Sequence, residues 1–225
     1  MKANAVEIYL KTAPGERDWG RKHRGAFSIF FSSSTDPWQP QEKKSRVTRR
    51  LLAAMQELPP DRLILQTHSA AILDDEESIC ELSRCCELRV HISIEGDRER
   101  LPGMPPPPSS IEDRILALQG FANRGLTSVA CLSPLYPLEN PDGFFRRLAE
   151  AGVRGVILDH FIQGDGTPDG TRTLKTSLPE AMRKVNPAAL QLSYRDSMAE
   201  IAKKYLPVGL SSDGFAGRWQ EGRDV

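Results

Sequence analysis

The sequence predicts an α/β protein built on a parallel sheet, and three observations carry that expectation. Apolar runs short enough to be buried strands alternate with segments of helical periodicity along most of the chain. Each predicted strand after the first is preceded by a helix, as right-handed crossovers require. Hydroxyls, carboxylates and imidazoles gather at the carboxyl ends of those strands, while the strand middles are apolar.

The elements follow in order. Residues 4–11 read as a helix, with Val6, Ile8, Tyr9 and Leu10 as its apolar bulk, and a Gly- and charge-rich loop follows. The run 27–31 is short enough for a buried strand. Residues 42–58 carry Val47, Leu51, Leu52 and Met55 at helical spacing, and Pro59 with Pro60 ends that helix. A strand at 63–65, a helix at 74–86 and a strand at 88–94 come next. Ser110 is placed to cap a helix that runs to Asn123 and is closed by Gly125. A strand at 127–132, a helix at 141–151 and a fifth strand at 153–158 complete the pattern. Prolines crowd 102–110, which predicts a stiff, extended surface segment. Beyond the turn-rich loop 164–170, residues 178–204 read as two short helices and 209–225 as irregular. The expected division is an α/β unit at 1–175 and a small helical extension at 176–225.

Bulk properties narrow the class. With 225 residues and 39% hydrophobic content, the chain can bury the core of one domain. No apolar run approaches the roughly 18 residues that span a bilayer. The first residues are amphipathic rather than signal-like, so a cytoplasmic protein without membrane contact is expected. Thirty basic and thirty acidic residues cancel, which argues neither for nor against nucleic acid. Cys80, Cys85, Cys86 and Cys131 form no CxxC pair and read as core thiols of a reducing compartment.

Ligands of parallel α/β folds bind outside the carboxyl ends of the strands. The residues there are Thr35 and Asp36 after the first strand, and Thr67, His68 and Ser69 after the second. Ser93 and Glu95, Cys131 and Ser133, and Asp159 and His160 end the other three. In the third strand His91, Ser93 and Glu95 alternate with Val90, Ile92 and Ile94, so the polar groups share a face. His68, His91 and His160 with Asp36, Glu95 or Asp159 raise the alternative of a metal hydrolase. The basic run 43–50 reads as a solvated helix face or a phosphate-contacting patch. The loop 164–170 with Arg172 offers a weak anion cradle.

Residues 33–42, followed by Val47, Thr48 and Arg49, resemble the STDPYQPxE…LTR signature of radical SAM proteins related to spore photoproduct lyase. The spacing to Gln66–Ser69, to His91–Glu95, and to Asp113–Arg114 before a strand ending Ser133–Pro134 is similar as well. The resemblance covers roughly 2–160 and implies a partial (β/α)6 barrel that holds S-adenosylmethionine and a [4Fe–4S] cluster. It implies reductive cleavage of that cofactor and hydrogen abstraction from a substrate the sequence leaves open, nucleic acid included. It places cofactor contacts at Ser34, Thr35, Asp36, Thr67, His68, Ser93 and Glu95. Two positions depart from the lyases, which carry a lysine in place of His68 and a hydrogen-donating cysteine in place of Ser34. The family's CxxxCxxC cluster loop, expected before a helix like residues 2–7, is not in the sequence. The expectation is therefore a barrel without its first strand, from a truncated chain or a late-assigned start. A degenerate, non-catalytic S-adenosylmethionine-binding or interaction domain is the alternative. An open strand edge beside 27–31 predicts self-association.

Overall fold

The computed structural model of the protein describes residues 4–31 and 35–219. The chain begins with α1 (Ala5–Arg24), β1 (Ser28–Phe31), α2 (Glu42–Ser45), α3 (Val47–Glu57) and β2 (Arg62–Thr67). A 3-10 turn (Ala70–Asp75) leads to α4 (Glu76–Leu82), β3 (Glu87–Ser93), α5 (Ile111–Asn123), β4 (Thr127–Leu132), α6 (Pro141–Glu150) and β5 (Gly155–Leu158). Then come α7 (Phe161–Gly164), α8 (Thr171–Leu174), α9 (Leu178–Val185), a second 3-10 turn (Pro187–Leu190) and α10 (Leu192–Ala202). The last elements are β6 (Val208–Leu210) and α11 (Ser211–Phe215).

The strands form one sheet in the order β1-β2-β3-β4-β5-β6, and every neighbouring pair is parallel. This is an α/β fold with helices interleaved between parallel strands, so all carboxyl ends meet along one edge. β1 and β6 each bond to a single neighbour among the described strands.

Register assigns the two faces. Leu63, Leu65, Val90, Ile92, Ala130, Leu132, Val156 and Leu158 are wholly buried in the main core against the helices. Full burial of each large apolar side chain among them contributes about 1.5–3 kcal/mol. The other face carries Gln66 beside His91, Val129 beside His91, Cys131 beside Ser93, and Ile157 beside Cys131. There Val129, Cys131 and Ile157 form a second, smaller core under Phe215 and Trp219.

Several boundaries differ from the sequence expectation. The first helix runs to Arg24 rather than Lys11, through Pro14, Gly15 and Gly20. Packing overrides propensity there: Tyr9, Ala13 and Gly20 are buried. The missing Cβ of Gly20 leaves room for the Ala26 carbonyl and the Phe27 Cα. The expected helix 42–58 is split at Arg46, which takes left-handed dihedrals (φ 48°, ψ 33°). The helix expected at 74–86 opens as a 3-10 turn and ends at Leu82. The tail read as irregular supplies β6, so the sheet has six strands rather than five. The segment 176–225 thus joins the sheet through β5.

Candidate functional site

At the carboxyl edge, the loop after β1 is organised by Asp36. Its Oδ1 accepts from the Trp38 amide (2.8 Å) and the Thr67 hydroxyl (2.7 Å), and its Oδ2 from the His68 amide (2.7 Å). Thr67 Oγ1 accepts in turn from the Ser69 amide (3.0 Å), and Ser69 caps the 3-10 turn that follows. Glu42 Oε1 accepts from the amides of Thr48 (2.8 Å) and Arg49 (3.3 Å), which satisfies donors at the start of α3. Arg49 Nε and the Trp38 indole N–H both donate to Asp75, at 2.6 and 2.9 Å. The 35–49 segment is therefore a scaffold in which these polar groups are already partnered.

The second layer holds His68, Glu95 and Arg114. His68 Nδ1 lies 2.9 Å from Glu95 Oε1, and Arg114 Nη1 donates to Glu95 Oε2 (3.0 Å) and to the Ser93 carbonyl (2.6 Å). Arg114 is 1% exposed. Burial pushes the Glu95 carboxyl up, but hydrogen bonds and charge from His68 and Arg114 outweigh it and hold the carboxyl down at about 2. The hydrogen bond that His68 donates to Glu95 raises His68 above its usual value, against its burial. His68 and Glu95 face a cavity of about 280 Å³ with Ser133 and Tyr136, walled by prolines 105–108. The proline segment thus forms a wall of the site rather than a plain surface strip. Burial, then the Glu95 charge, pushes the Tyr136 phenol up to about 12.

The pair gives stability a defined pH dependence. Glu95 is depressed from 4.5, so its contribution is full above about 4.5 and is lost as pH falls toward 2. His68 is raised from 6.5, so its contribution is full below about 6.5 and is lost as pH rises through the folded-state value. Burial lowers His91 and His160, which therefore cost stability as pH falls below about 6.5. Urea midpoints measured from pH 3 to 9 are thus expected to peak near 6.5. The His68→Gln variant should lose the alkaline decline; an unchanged decline would refute the assignment.

Of the residues named from sequence, Asp36, Thr67, His68 and Glu95 are joined by direct hydrogen bonds. Ser93 joins through its carbonyl, while its wholly buried hydroxyl accepts from Gln66 Nε2 (3.3 Å) on the inner face. Thr35 is exposed, and Ser34 lies outside the described residues. Arg114, which the sequence shows only as the partner of Asp113 in a motif, is the buried counter-charge of the site. Its signal was legible: on α5 it shares the apolar stripe of Ile111, Ile115 and Leu118. Ser133 also belongs here, donating to Asp159 Oδ2 at 3.0 Å.

Two expectations are corrected. The histidines do not converge: His160 bonds the Ala189 carbonyl and the Ile162 amide, and His91 meets no polar partner among the described residues. No group of three or more metal-ligating side chains forms among the described residues. The 164–170 cradle is filled from within, because Asp165 accepts from the Thr167 hydroxyl and from the amides of Thr167 and Thr173. Within the basic run, Lys43, Arg46 and Arg49 line a cavity of about 560 Å³ together with Glu42, Asp74 and Asp75.

No protein-family model and no curated protein matches the chain. Among solved structures it is similar to Streptococcus suis SuiB bound to S-adenosylmethionine, at 15% identity and a TM-score of 0.49. That likeness covers 87% of this chain and 43% of SuiB. It is similar in the same degree to SuiB bound to the precursor peptide SuiA, over 87% of this chain and 41% of that one. The chain spans less than half the length of these proteins.

Proposed function

We propose that this chain is an S-adenosylmethionine-binding domain of the radical SAM kind, with the amino-acid end of the cofactor at the His68–Glu95 cavity. The observation that carries the reading is the unbroken hydrogen-bonded row Asp36–His68–Glu95–Arg114 at the carboxyl edge of a parallel sheet. It joins residues that the 33–42 motif and its spacing to 91–95 single out. The donor set suits the ligand. His68 is half-exposed, biased toward the imidazolium, and forms no hydrogen bond through Nε2 among the described residues. It is thereby suited to a carboxylate. Glu95 and Arg114 hold that ring in place and need not touch the ligand. When bound, S-adenosylmethionine supplies a sulfonium centre with breakable C–S bonds; the residues here bind, orient and shield it.

The relation to spore photoproduct lyase is the finer form of this proposal and rests on the same motif. The described residues do not fit a [4Fe–4S] cluster. Cys85 and Cys86 lie at the amino end of β3, opposite the site, and Cys131 is buried in β4. No step through a cluster follows from them. The second reading, a binding domain without redox chemistry, rests on the described residues alone. The substrate and any nucleic-acid partner stay outside the proposal.

Isothermal titration with S-adenosylmethionine at pH 6.5 tests the binding claim. Saturable binding is expected, weakened at least tenfold in His68→Ala. No saturation up to millimolar ligand, or equal binding by the variant, would overturn it. Anaerobic iron–sulfide reconstitution then tests the second reading: 5′-deoxyadenosine release by this chain would overturn it.

A further inference from the structure

The inner face of the sheet holds polar groups that the proposed cofactor site does not use. His91 is wholly buried, and neither ring nitrogen finds a hydrogen-bond partner among the described residues. The side-chain oxygen of its register neighbour, Gln66, is equally orphaned. A buried polar group without a partner is costly, and native structures rarely keep several side by side. What covers them is the segment 211–219. Phe215 lies 6.3 Å from the His91 ring, and Trp219 packs with it on Val129, Cys131 and Ile157.

The cover is seated by glycine rather than held by polar bonds to the row beneath it. A Cβ on Gly214 would fall 2.7 Å from the Gly209 carbonyl carbon, and one on Gly217 would meet the Arg89 guanidinium at 2.4 Å. The face also continues beyond the cover. Phe30, edge-on to Phe215, is 40% exposed, and Gln66 is half-buried. A ligand entering from the β1–β2 side therefore meets Gln66 first and His91 under Phe215.

We propose that this face is a binding site for a neutral planar group bearing both a donor and an acceptor, of the carboxamide or nucleobase-edge type, and that residues 211–219 are its displaceable cap. The chemistry follows from the row itself. A neutral imidazole offers one donor and one acceptor, and the free oxygen of Gln66 needs a donor. Val129 and Ile157 suit a flat apolar body. An anionic ligand is disfavoured: Arg89, at the edge of the cap, already pairs with Glu87 at 2.7 Å, and the buried Asp159 Oδ1, two residues beyond Ile157, has no partner among the described residues. Short segments with few polar ties to the rest of a fold open first, and here Arg195 to Ser211 at 3.0 Å is such a tie.

Benzamide and its charged isostere benzoate are the probes, followed through the His91 ring resonances of the full chain. In Gly214→Val the cap should lift: amide exchange of 208–219 accelerates at least tenfold while β2–β4 stay protected. Benzamide then shifts the His91 signals, with an affinity at least fivefold above wild type, and benzoate does not. Phe215→Ala, which removes the aromatic contact and leaves the glycine seat, repeats the test if Gly214→Val fails to fold. Three results would overturn the proposal. One is a segment 211–219 that exchanges only with global unfolding; another is a lifted cap with no benzamide response; the third is benzoate binding as well as benzamide.

Discussion

Glu95→Gln is expected to remove about 3–5 kcal/mol of stability, the cost of breaking a buried pair on one side. Glu95 accepts from Arg114 and from His68, and Arg114 is 1% exposed. Glutamine keeps the volume but not the charge, so the guanidinium stays buried with only neutral acceptors such as the Ser93 carbonyl. Urea unfolding of the variant measures the loss. The double variant Glu95→Gln/Arg114→Met should recover a large part of it, because removing both charges also removes their desolvation penalty. A single variant within about 1 kcal/mol of wild type would mean that solvent reaches Arg114 and the pair is not buried.

Asp36→Ala carries the second large effect, about 3–4 kcal/mol. Its carboxylate accepts from two amides and one hydroxyl, each bond to a charged acceptor contributing about 1.5–3 kcal/mol with imperfect additivity. Stability is only half of the expected result. The His68 amide loses its anchor, and the Asp36 charge helps to hold His68 above its usual value. The His68 titration followed by NMR should therefore move down toward 6.5 in the variant. Asp36→Asn keeps one acceptor oxygen and should fall between the two. Loss of stability with an unmoved His68 titration would make Asp36 a loop residue without influence on the site.

Much of this was legible along the chain because it depends on local rules. Ser110 accepts from the Asp113 amide, Gly125 takes a positive φ, and β4 spans the 127–132 predicted from its apolar run. Strand alternation put His91 and Ser93 opposite Val90 and Ile92, and the register keeps them so. Other features depend on partners far away in sequence. β6 is three residues long and includes a glycine; only β5 beside it and α11 above it make it a strand. The extension of α1 through Pro14 and Gly20 likewise rests on packing at Ala26 and Phe27.

The same division runs through the site. The sequence alone determined the α/β class, the edge where chemistry gathers and most side chains that line it, because periodicity and strand polarity are properties of short segments. Tertiary structure alone decided that Arg114 is the counter-charge of Glu95, that Asp165 fills its own loop and that α11 covers His91. Each of these pairs groups that are brought together only by folding: Arg114 lies 19 residues from Glu95, and three strands separate Phe215 in the chain from the His91 it covers. No local pattern encodes such a meeting; burial and hydrogen bonding select it once the sheet has formed.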